Sequence, residues 1–80
     1  GTITGSLLLE LIEGNSERLE GISISYKTLA EFSVTPAPYP ATAPEKTDPR
    51  YINPNGIFKG EVERNANNVI TELIFTQQKQ

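Results

Sequence analysis

Glu61 and Glu63 are the pair whose type and spacing come nearest to an acid–base couple. On a strand, residues two apart share a face about 7 Å from one another. Paired carboxylates divide the acid and base roles in glycoside hydrolysis. Lys59 and Arg64 flank the pair, however, and that pattern also describes an ordinary solvated face. The serines at 6, 16, 23, 25 and 33 have no histidine to activate them and no Gly-x-Ser-x-Gly turn to present them. Lys27 and Lys59 would need burial before either amine became nucleophilic.

The absent residue types remove most other chemistries. The 80 residues contain no His and no Cys. Histidine-based triads, thiolate nucleophiles and the usual zinc and iron–sulfur ligand sets are therefore excluded. Asp48 is the only aspartate, and the asparagines at 53, 55, 65, 67 and 68 read as turn residues rather than calcium ligands. No catalytic residue, cofactor site or metal site is expected, and the chain reads as a non-enzyme. A net charge of −3, with seven cations scattered singly, argues against nucleic acid. No wholly apolar run exceeds the three residues of Leu7-Leu8-Leu9, far short of the roughly 20 residues a membrane-spanning helix needs. Gly1 in place of Met reads as a processed, trimmed or tagged start. An extracellular or cell-surface setting is slightly favoured over a cytoplasmic one.

Alternation of apolar and polar residues dominates the elements that must position these side chains. From Ile22 to Val34 the even positions read Ile, Ile, Tyr, Thr, Ala, Phe, Val, and only Leu29 places a large apolar residue among the odd ones. Period two is the signature of a half-buried strand. The run is long for one strand, so a bend is expected near Lys27-Thr28. Thr28-Leu29-Ala30-Glu31 also fits a helix capping box, but the residues after it are poor helix formers. Leu19 lies on the opposite parity, and Gly21 marks the slip, which suggests a β-bulge. Residues 2–13 are expected to form a strand through Ile3, Leu7, Leu9 and Leu11. A helix from Ser6 competes, but Gly5 and Gly14 would limit it to about two turns. Gly14-Asn15-Ser16 reads as a turn.

Residues 35–55 hold all six prolines and are expected to be extended, without regular structure. No Pro-x-x-Pro spacing occurs, which weakens a reading as a peptide ligand. The segment is then a strap over its own sheet, anchored by Tyr39, Tyr51 and Ile52, or an arm reaching a neighbour. Residues 57–64 and 69–76 read as a hairpin closed by Asn65-Ala66-Asn67-Asn68. The opening Gly1–Gly5 and the later Gly56–Gly60 share their glycine spacing, a loose sign of an internal repeat.

The expected fold is one small all-β domain of four to five mostly antiparallel strands, sandwich-like or a partly open barrel. Two hairpins are joined by the proline-rich crossover. The expected role is non-catalytic: a structural or protein-interaction module that self-associates, or meets another protein, through sheet edges or the arm. Such an assembly would cover unpaired strand edges. Ile12, Leu29, Ile70 and Ile74 are apolar residues on otherwise polar faces, and with Tyr39 and Tyr51 they are the candidate partner contacts. The alternative is a small barrel whose Tyr26, Phe32, Phe58 and Phe75 line a pocket for an apolar ligand.

Overall fold

The structure is a computed structural model that describes residues 1–18 and 21–79. Five strands and one helix follow in the order β1 (Thr2–Thr4), α1 (Gly5–Arg18), β2 (Ser23–Lys27), β3 (Ser33–Val34), β4 (Ile57–Arg64) and β5 (Ile70–Gln77). They form one sheet in the order β1-β4-β5-β2-β3. Every neighbouring pair is antiparallel except β2 and β5, which run parallel. The all-β character holds, with a mixed sheet that stays open rather than closing into a barrel. Its second layer is a helix and a strap of irregular chain.

The expected first strand is a helix. Reading by parity groups Leu7 with Leu9 and Leu11, but Leu7 is exposed while Leu8 is fully buried and Ile12 nearly so. Positions 8 and 12 share one helical face, and burying each side chain contributes about 1.5–3 kcal/mol. The helix start is closed by backbone geometry. Thr4 Oγ1 accepts from the Leu7 amide at 3.3 Å, as an N-cap does. Gly5 N–H donates to the Gly56 carbonyl and Ser6 N–H to the Pro54 carbonyl. Three amides that a helix start leaves unpaired thus find acceptors. Gly5 is needed for this approach, because a Cβ there would collide with the Asn53 carbonyl. The helix also runs through Gly14, Asn15 and Ser16, where a turn was expected. Tertiary packing of Leu8 and Ile12 outweighs the roughly 1 kcal/mol cost of a mid-helix glycine.

The first half is therefore a β1-α1-β2 crossover, not a hairpin. Its two parallel strands are separated by the β4–β5 hairpin. Gly1–Gly5 and Gly56–Gly60, the segments that suggested a repeat, pair with each other. Ile3 faces Phe58, and the ladder is closed at its ends by Gly5 N–H to Gly56 O and Gly60 N–H to Gly1 O.

The long alternating run breaks where a bend was expected. β2 ends at Lys27, a tight turn follows with Glu31 N–H donating to Thr28 O, and β3 returns beside Tyr26 and Lys27. The capping-box helix does not form. Glu31 takes a left-handed φ of 61°, and Phe32 is exposed. Gly21, with φ of 83°, sits in a turn before β2 rather than in a ladder, so it marks no bulge. Leu19 lies outside the described residues. A register shift occurs instead between Glu63 and Arg64. The second hairpin follows its predicted bounds closely. At its tip Asn65 Oδ1 accepts from the amides of Asn67 and Val69, and Asn68 supplies a left-handed φ of 65°.

The core joins Leu8 and Ile12 of α1 to Ile24 and Tyr26 of β2, Phe58 of β4, Phe75 of β5 and Ile52 of the β3–β4 connection. The connection folds back over its own core. Ala37 N–H donates to the Ile24 carbonyl at 2.7 Å, and Ala37 and Tyr39 pack against the core cluster. The Tyr26 hydroxyl donates to Arg50 O, and the Thr28 hydroxyl to Pro49 O.

Candidate interaction surface

Strand alternation divides the sheet into two unlike faces. The inner face carries Ile3, Ile24, Tyr26, Phe58, Leu73 and Phe75 toward the helix and the β3–β4 connection. No helix or strand of the described chain packs on the outer face. The register sets its side chains in rows. One row crosses β3-β2-β5-β4-β1 as Ser33, Lys27, Thr76, Lys59, Thr2. The next is Ser25, Ile74, Glu61, and the third is Ser23, Glu72, Glu63. The lysine row and the glutamate row thus flank the Ile74–Glu61 row with opposite charge, and Thr4–Ile57 and Arg64–Ile70 lie beyond them along the strands. The rows lie about 7 Å apart along the strands, so the lysine and Glu72–Glu63 rows are separated by about 13 Å.

Ser25 shapes the glutamate row. Its hydroxyl donates to Glu72 Oε2 at 3.2 Å, and the serine is buried although it stands on the uncovered face. Glu72 and Glu63 are direct cross-strand neighbours, an arrangement that repels. Glu61 and Glu63 stand exposed on this open strand face. Among the described residues no three acidic side chains converge to hold a metal ion.

The sheet also has free edges. β1 covers β4 only from Ile57 to Lys59, with a further bond at Gly60, so Glu61–Arg64 has no neighbour on its outer side among the described residues. At the opposite edge β3 covers Tyr26 and Lys27 of β2, and the chain beyond it satisfies the Ile24 carbonyl through Ala37 N–H.

The remaining features are structural in chemistry. A groove of about 440 Å³ lies between α1 and the connection, lined by Ile12, Glu13 and residues 37–41. Arg50 binds Asp48 through its side chain at 2.9 Å and also donates its backbone amide to that carboxylate. These hydrogen bonds hold the Asp48 carboxyl down to about 2. Burial first, and the neighbouring Tyr39 second, push the Tyr26 hydroxyl up to about 12.

The six candidate contact residues do not converge on one patch. Ile12 is in the core beneath the connection, 5% exposed at the floor of the groove there. It interrupted a polar face only under the strand reading, and on a helix it falls on the buried stripe. Tyr39 and Tyr51 are half-buried in the connection, and the Tyr39 hydroxyl accepts from Ile52 N–H at 3.3 Å. Leu29 is 48% exposed at the turn after β2. Ile70 is half-buried near the hairpin tip, on the same face of β5 as Ile74. Ile74 alone sits at the centre of the outer face. The charged rows around it were missed, because they depend on which strands neighbour one another. The parallel β2–β5 pairing leaves no local mark in the sequence.

No helix among the described residues is long and apolar enough to cross a membrane. Compared with known protein families, curated proteins and solved structures, the chain matches none.

Proposed function

We propose that this protein is a non-catalytic structural or interaction module that self-associates, as a subunit of a larger assembly, through the sheet surfaces its own chain leaves open. The observation that carries this reading is the one-sided sheet. Helix and strap bury Ile24, Tyr26, Phe58 and Phe75 of the inner face, while among the described residues no helix or strand packs on the outer face or pairs with the Glu61–Arg64 edge. Absence of His and Cys, together with carboxylates that stand on an open strand, supports a non-enzymatic role. The β3–β4 connection spends its apolar residues on its own core, which favours the sheet over the arm as the associating part. A barrel pocket is not favoured: Tyr26, Phe58 and Phe75 fill the core, and Phe32 lies outside it.

Sedimentation equilibrium from micromolar to about millimolar concentration tests the reading. A mass that rises with concentration is expected. A constant monomer mass of 8.8 kDa would count against it.

A further inference from the structure

We infer that the outer face is a self-complementary docking surface, on which a second copy of this chain seats face to face with its strands reversed. The inference rests on the self-associating reading and names the surface and its partner. It begins from the order of the three central rows: Lys27 and Lys59 on one side, Ile74 with Glu61 in the middle, Glu72 and Glu63 on the other side. A two-fold axis running across the strands through the Ile74 row superposes the two flanking rows. Each Lys59 then lies over the partner's Glu63, each Thr76 over the partner's Glu72, and the two Ile74 side chains meet. An axis along the strands would instead set lysines over lysines and glutamates over glutamates. Charge complementarity therefore selects one of the two symmetric ways to stack this sheet on itself.

Local features agree with that arrangement. Within each copy Glu63 and Glu72 repel one another, and a second copy's Lys59 laid over Glu63 relieves the repulsion. The Ser25 hydroxyl fixes one oxygen of Glu72 before any partner arrives. Ile74 is half-buried in the single chain and gains cover from its counterpart. Stacking would turn the one-sided sheet into a four-layer helix–sheet–sheet–helix particle, with sheets about 10 Å apart. Glu61 lies on the axis row and faces its own copy, at the rim where β4 is the edge strand. Solvent screens that contact, which weakens association without abolishing it. A face this small supports a weak, reversible dimer.

The test is a charge-swap cycle read by sedimentation equilibrium, with far-UV circular dichroism as the check on folding. Lys59 and Glu63 are both exposed, so the variants keep the monomer fold. Lys59→Glu and Glu63→Lys should each raise the dimer dissociation constant about tenfold. The double variant, which restores both contacts with polarity reversed, should return within about threefold of the starting value. Raising salt should weaken the original dimer and the double variant alike. A dimer indifferent to Lys59→Glu would overturn face-to-face docking while leaving self-association through another surface intact. A monomer at every concentration would overturn both.

Discussion

The two faces of this sheet use the same strands and the same alternation for opposite ends. On the inner face Ile3, Ile24, Tyr26, Phe58, Leu73 and Phe75 form the core with the helix and the returning connection. On the outer face the same registers line up Lys27, Thr76 and Lys59, then Ile74, then Glu72 and Glu63. The inner face is satisfied by its own chain and accounts for why the chain folds. The outer face is ordered by the same pairing, and under the proposed function it is the surface for association. Stability and association should therefore respond to different residues.

The largest effect belongs to the inner face. Phe58→Ala removes a fully buried ring facing Ile3 and should cost about 3–5 kcal/mol, measured by urea unfolding. A cost below about 1 kcal/mol would break the division between the faces. Ile52→Ala asks whether the connection belongs to the inner layer. Its side chain is fully buried, and a loss of about 2–4 kcal/mol is expected. A null result would return the connection to the role of a free arm.

Tyr26→Phe keeps the ring and deletes only the hydrogen bond to Arg50 O, so about 1 kcal/mol should be lost. The wild-type protein should also lose stability as pH rises from 10 toward 12. The buried hydroxyl keeps its proton up to about 12, while in the unfolded chain it ionises near 10. The phenylalanine variant should lose that part of the alkaline dependence. At the acid end Asp48 works with the opposite sign. Its carboxyl, usually near 3.8, is held down to about 2 by Arg50, so its contribution is present above pH ~4 and lost as pH falls through 2. The pair is exposed, so the effect on stability is small and is best followed by NMR titration of the carboxyl. The smallest effects lie on the outer face. Glu61→Gln should leave unfolding within about 0.5 kcal/mol of wild type yet tighten association, because it removes the like-charge contact on the axis row.

Much of the β structure was legible from the sequence because its signals are local. Asn65 and Asn68 announced the hairpin tip, and even-numbered Ile24 and Tyr26 announced the buried side of β2. The helix was not legible by the same rule. Leu7-Leu8-Leu9 supports either period, and Thr4-Gly5-Ser6 reads as a helix start only once the turn at 53–56 supplies its acceptors from nearly fifty residues away. Of the candidate contacts, Ile74 stands at the centre of the outer face, while Ile12 changed sides with the change of period. Lys27 and Lys59 were visible only as isolated cations. β5 brings them into one row, which single-chain alternation does not encode.

An NMR dilution series on the unmodified protein, recording backbone amide shifts from about 20 µM to 1 mM, tests the division of the two faces most directly. The account predicts concentration-dependent shifts at Lys27, Lys59, Glu63, Glu72, Ile74 and Thr76, with Leu8, Ile12 and the hairpin tip unmoved. Shifts confined to residues 36–52, or a spectrum unchanged across the whole range, would contradict it.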